Sequence, residues 1–106
     1  MDLQWHTKVD VPEQARAAIE KRIEDLAAEH ADLIHVVIHV ERSNHHRHGV
    51  AEAKIRGQAR GRELIASGRG EEPEIALDEA SDAFEREVRT MRDKRRDASR
   101  GNNIRE

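Results

Sequence analysis

With 106 residues, 39% of them charged, the chain can build one domain around one modest core, and no apolar run is long enough to span a membrane. Trp5 and Phe84 are its only aromatic residues, so the core must be aliphatic, and a single-stranded nucleic-acid binder that stacks bases on aromatic rings is disfavoured. The lack of Cys excludes a disulfide framework, a thiolate metal site and a Cys nucleophile.

The net charge of -3 hides a block pattern. Residues 1–41 carry nine acidic and four basic groups, and residues 42–70 carry two and seven. Residues 71–85 carry seven acidic and none basic, and residues 86–106 carry four and eight. Folding can gather the two basic blocks on one face, which would attract a polyanion despite the acidic total. The opposing reading is that helix ends and solvated loops simply carry charge. Met1-Asp2-Leu3-Gln4 is not a signal peptide, so the expected location is the cytoplasm.

Leu3, Trp5, Thr7 and Val9 alternate with Gln4, His6 and Lys8, a half-buried strand in which Trp5 reads as a core or sheet-face anchor. Asp10-Val11-Pro12-Glu13 starts a helix: Asp10 with Glu13 fits a capping box, and Pro12 suits the first turn. Ala15, Ala18, Ile19, Ile23 and Leu26 follow helical spacing, and the helix fades near His30-Ala31-Asp32. Leu33 to Glu41 is a strand, with Ile34, Val36, Ile38 and Val40 on one face and His35, Val37, His39 and Glu41 on the other. Arg42 to Gly49 connects it, through His45, His46 and His48, to a thin strand over residues 50–59. That strand sets Ala51, Ala53, Ile55, Gly57 and Ala59 on one face, so something large must press on it; Phe84 and Leu77 are the candidates. Arg60-Gly61-Arg62 reads as a turn, Glu63 to Ser67 as a fourth strand of open facing, and Ser67-Gly68-Arg69-Gly70 as a tight turn.

Pro73 opens a second helix with Glu71, Glu72 and Glu74 at its positive dipole end. Leu77, Ala80, Phe84, Val88 and Met91 form its apolar stripe, and basic residues gather at its far end, where the dipole also favours cations. With seven acidic residues and no basic one over 71–85, only its second half can face phosphate. The expected fold is α+β: a single β-α-β-β-β-α domain over residues 1–97, a four-stranded sheet with two helices on one face, and a flexible C-terminal tail over 98–106.

In order, length and register the chain resembles the ribosome hibernation promoting factor and ribosome-associated inhibitor family (the sigma-54 modulation protein family), short form. Leu64-Ile65-Ala66-Ser67-Gly68-Arg69 resembles the family's strand and basic turn. Glu71-Glu72 with Ala76-Leu77-Asp78, and Phe84, Arg86 and Val88, resemble its second helix. The Ile38-His39-Val40-Glu41 strand and the Pro12-to-Leu26 helix fit, and a branch of the family carries a His-rich loop like His45-His46-Arg47-His48-Gly49. The resemblance implies a fold like that of double-stranded-RNA-binding domains. It implies binding to rRNA and protein of the small ribosomal subunit in the mRNA/tRNA channel, inhibition of translation and preservation of idle ribosomes under stress or in stationary phase; separately, the chain is expected to be a monomer. Neither DNA nor a membrane is expected as partner, and no cofactor is expected.

Such binding needs cations at phosphate spacing on rigid elements, and the planar Arg fork can hold two phosphate oxygens. The first candidates are Arg86, Arg89, Arg92, Lys94, Arg95 and Arg96 on the second helix, with Arg69 where that helix begins. Lys54, Arg56, Arg60 and Arg62 on the sheet side come next, then Arg22. A divergent protein-interaction or stress module without ribosome binding is the alternative, its acidic helix faces meeting a basic partner. A metal site on His45, His46 and His48 ranks below both, because adjacent flexible histidines fix a tetrahedral site poorly and no Cys completes one. A polar loop tip touching RNA, or plain solvent exposure, accounts for them better. No G-x-S-x-G and no phosphate-cradling Gly loop supports an enzyme.

Overall fold

The β-branched run Val36-Val37-Ile38 has a poor helix preference and a good fit to a pleated surface, and it lies in the central strand β2 (Leu33–Ser43). A computed structural model describes residues 1–43 and 50–104, with side chains over 1–42 and 50–96. Around β2 it places β1 (Asp2–Thr7), α1 (Glu13–His30), β3 (Val50–Ala59), β4 (Arg62–Gly70) and α2 (Pro73–Ile104). The sheet order is β1-β2-β3-β4, with β1 parallel to β2 and the other pairs antiparallel. The α1 crossover between the parallel strands puts a helix on one face, and α2 returns across the same face. His45, His46 and His48 lie outside the described residues.

The core lies between sheet and helices. Val36, Ile38 and Val40 of β2 and Ala51, Ala53, Ile55 and Ala59 of β3 are buried with Leu64 and Ala66 of β4. Ile19, Ile23 and Leu26 of α1 meet them, as do Leu77, Ala80, Phe84, Val88 and Met91 of α2. Phe84 fills the space left by the small residues of β3: a Cβ added at Gly57 would stand 2.6 Å from its ring. Burying a side chain of this size contributes roughly 2–3 kcal/mol. Trp5 faces the helices half-buried, its Nε1 donating to Glu20 at 2.7 Å under the Arg16 guanidinium, 5.0 Å from the ring centroid.

Several local features differ from the sequence reading. No capping box forms: Pro12 itself is the N-cap of α1 with no side-chain hydrogen bond, its carbonyl accepting from Arg16 N–H at 3.0 Å. Ala18 is exposed, and Ala27 joins the buried stripe instead. Ile34 is 52% exposed and Leu33 buried, because the register with β3 shifts between Leu33 and His35 and makes Ile34 the extra residue of a bulge. The stretch Ser67-Gly68-Arg69-Gly70 is not a turn but the second half of β4, which turns Leu64, Ala66 and Gly68 inward. Gly68 is required there by α2: a Cβ would collide with the Ala76 carbonyl and stand 2.5 Å from the Ala80 nitrogen. The turn expected at Arg60-Gly61-Arg62 does form between β3 and β4, with Gly61 in the left-handed region at φ +78. Helix α2 continues through Ile104, past residue 97, where the sequence reading closes the domain.

Candidate nucleic-acid interface

Helix α1 ends with Ala31 in the left-handed region, its N–H on the Ala27 carbonyl, and the chain turns at once into Asp32. That turn buries the Asp32 side chain to 3% exposure. Arg92 of α2 meets it with a two-pronged bond, Nε to Oδ2 at 2.9 Å and Nη2 to Oδ1 at 2.7 Å. The same Nη2 donates to the Leu26 carbonyl at 2.9 Å, a group that the end of α1 leaves open, and Nη1 reaches Glu29 at 3.3 Å. The hydrogen bonds from Arg92 hold the Asp32 carboxyl below the usual carboxylate range, against the opposing effect of burial. Arg60 N–H donates to the Asp32 carbonyl at 3.2 Å, so the β3–β4 turn is tied to the same point.

Asp32 therefore gathers one end of the molecule. Arg60 and Arg62 arrive on the turn, and Arg89, Arg92, Arg95 and Arg96 on α2. A cleft there is lined by His30, Asp32, Arg89, Arg95 and Arg96. Much of this charge is answered within the fold. Arg89 lies 3.6 Å from Glu29, Arg95 3.9 Å from Asp32, and Arg96 2.6 Å from Asp93. Arg92, its side chain 10% exposed, is an interior tie between helices and sheet, not a surface cation. Arg22, its side chain a third exposed, bridges the two helices nearer the surface, 2.5 Å from Asp82 and 3.9 Å from Glu85. Arg86 and Lys94 stand exposed on α2. Among the described residues no carboxylate comes within 4.0 Å of Lys54, Arg60, Arg62, Arg86 or Lys94.

The face of the sheet opposite the helices is open. There Arg56 pairs with Glu63 at 3.0 Å, and Arg69, on β4 and not where α2 begins, pairs with Glu52 at 3.3 Å. The strand registers set four residues side by side across the whole sheet: His6, His39, Lys54 and Ser67. All four are exposed, and the row contains no carboxylate. His6 and His39 stack, ring centroids 5.2 Å apart and planes within 16°. Partial burial pushes the His39 imidazole below its usual range, helped by His6, Arg56 and Lys54 and opposed by Glu41. The sequence reading put His39 on this strand face but not His6 beside it. The only signal for the pairing is the parallel register of two strands separated by a helix, which alternation within one strand does not encode.

A four-stranded sheet with two helices on one face defines a small α+β domain, here with a cluster of cations at one end. A family model described as Sigma 54 modulation protein / S30EA ribosomal protein matches residues 3–96, and the chain belongs to that family. The family is one of ribosomal proteins, not of enzymes. No curated protein sequence matches the chain. A ribosomal subunit interface protein from Coxiella burnetii has a similar structure, with TM-score 0.72 and 13% identity over 87% of this chain and 98% of that one. The Thermus thermophilus Protein Y N-terminal domain superposes with TM-score 0.64 and 17% identity, covering 85% of this chain and 94% of the other. At these identities both likenesses establish the fold. Among the described residues no helix is long and apolar enough to cross a membrane, and no group of three potential ligands is placed to hold a metal ion.

Proposed function

We propose that this protein associates with ribosomes, and within them with the small subunit in the channel used by mRNA and tRNA. There it inhibits translation and preserves idle ribosomes under stress, acting in the cytoplasm as a monomer. The observation that carries the reading is the family match across residues 3–96, nearly the whole described fold. Of the candidate cations, the rRNA contacts fall to those free of internal carboxylates: Arg60, Arg62, Arg86 and Lys94 at the α2 side, and Lys54 on the sheet. The partly answered and exposed Arg56, Arg69, Arg89, Arg95 and Arg96 assist. Arg22 and Arg92 leave the contact set, because their guanidinium groups hold the helices together. Phosphate contacts release counterions, so binding is salt-sensitive: about four contacts weaken roughly tenfold when salt doubles.

Sedimentation through sucrose gradients with separated small and large subunits, at two salt concentrations, tests this. The protein is expected to travel with the small subunit at low salt and to leave it at high salt. If it stays at the top of the gradient even at low salt, the ribosome reading fails and an interaction module of another kind takes its place.

A further inference from the structure

The row His6–His39–Lys54–Ser67 holds hydrogen-bond donors from all four strands and no acidic group, in the middle of a face whose cations and carboxylates balance when Lys54 is counted. We propose that this row is a contact site for the RNA phosphodiester backbone, and that filling it takes up protons on the imidazole pair. The inference rests on the reading above for the choice of RNA, and goes beyond it in assigning the open sheet face and a proton-coupled mode of binding.

The groups facing the row make the case. From β1 come Asp2 and His6, with Lys8 just past its end, and from β2 His35, His39 and Glu41. From β3 come Glu52, Lys54 and Arg56, and from β4 Glu63 and Arg69. Three of the four carboxylates already have a cation: Lys8 lies 3.6 Å from Glu41, Arg69 3.3 Å from Glu52, and Arg56 3.0 Å from Glu63. The fourth, Asp2, lies in the row of His35, two rows away from His39. With neutral imidazoles the four cations and four carboxylates of the face cancel, so added positive charge on the imidazole pair makes the face attractive to an anion. A shallow groove runs along it, lined by His6, Lys8, His39, Lys54, Ser67 and Arg69 among others.

Two stacked imidazoles repel each other once both are charged, and His39 also faces Lys54 and Arg56. A phosphodiester laid over the row supplies the negative charge that offsets all of these. Protonation and binding therefore favour each other. Affinity rises as pH falls through the histidine range, near 6.5 for an unperturbed group, and levels off once the pair is charged. The ligand contributes no titration of its own there, because a phosphodiester stays singly charged.

The test uses the full chain and a short dye-labelled oligouridylate, with fluorescence anisotropy from pH 8 to pH 5.5 at fixed low ionic strength. The wild type should tighten roughly tenfold over that range, and a His6→Gln, His39→Gln double variant, whatever its affinity at pH 8, should lose most of that gain. Histidines elsewhere remain in the variant, so the difference isolates the pair. NMR titration of the His6 and His39 ring protons should show both midpoints moving up when the oligonucleotide is added. An equal pH dependence in the two proteins, midpoints that do not move, or a wild type that fails to bind the oligonucleotide at any pH overturns the inference. Sedimentation with the small subunit separates this from the broader reading: if both proteins still travel with it, ribosome binding stands and only the histidine row falls.

Discussion

Arg92 and Lys54 are both cations that the sequence assigns to phosphate, and the fold treats them oppositely. Arg92 reaches into the junction of α1, β2 and α2, where a buried carboxylate and a helix-end carbonyl fix its guanidinium. Lys54 stands on the open sheet face beside an imidazole and a hydroxyl, with no carboxylate in its row. A phosphate would compete with Asp32 for Arg92 but meets no such rival at Lys54. Charge in a sequence counts cations; only the partners that folding brings within reach decide which of them remain for a ligand.

The largest effect expected from this contrast is on stability. Arg92→Ala strands the buried Asp32 carboxylate and should cost about 3 kcal/mol in chemical denaturation. Arg86→Ala and Lys94→Ala should each change stability by less than about 0.5 kcal/mol. Comparable losses in all three would erase the distinction between tie and free cation.

Next comes the acid limb. Asp32 has a folded-state pKa below its ordinary value of 3.8, so its stabilisation is fully present above that value and is lost as pH falls through the folded one. Asp32→Asn should therefore be less stable at pH 7 yet show a shallower loss of stability below about pH 4. An unchanged slope, followed by circular dichroism across the pH range, would argue against the Arg92–Asp32 bond as its source.

A smaller and opposite effect is expected one residue earlier. Ala31 occupies the left-handed region at φ 51, where glycine carries no steric penalty. Ala31→Gly should stabilise the protein, or leave it neutral, by up to roughly 1 kcal/mol in thermal denaturation, since relief of strain outweighs the extra chain entropy. A clear loss would mean that the α1–β2 turn is not strained.

How legible these features are follows from their range along the chain. The strands and both helices are written in periods of two and about 3.6, so Ile38, Ile55, Phe84 and their neighbours reveal their own facing. The demand for a large residue over thin β3 is also legible, and Phe84 answers it at Gly57. Local rules misplace features where a tertiary contact overrides them. Gly68 and Gly70 read as turn residues, but α2 passing close overhead is what requires a glycine at 68. Ile34 reads inward until a bulge displaces it. The candidate site is least legible, because Arg92–Asp32 joins residues sixty positions apart, and His6–His39 depends on a parallel register that no single segment contains.

The most direct test of the account is small-subunit sedimentation with Lys54, Arg60, Arg86 and Lys94 all changed to Glu, in a variant first shown by circular dichroism to keep the wild-type fold. This folded variant should no longer travel with the subunit at low salt. Undiminished binding would contradict the claim that the cations left free by the fold are the ones that meet RNA.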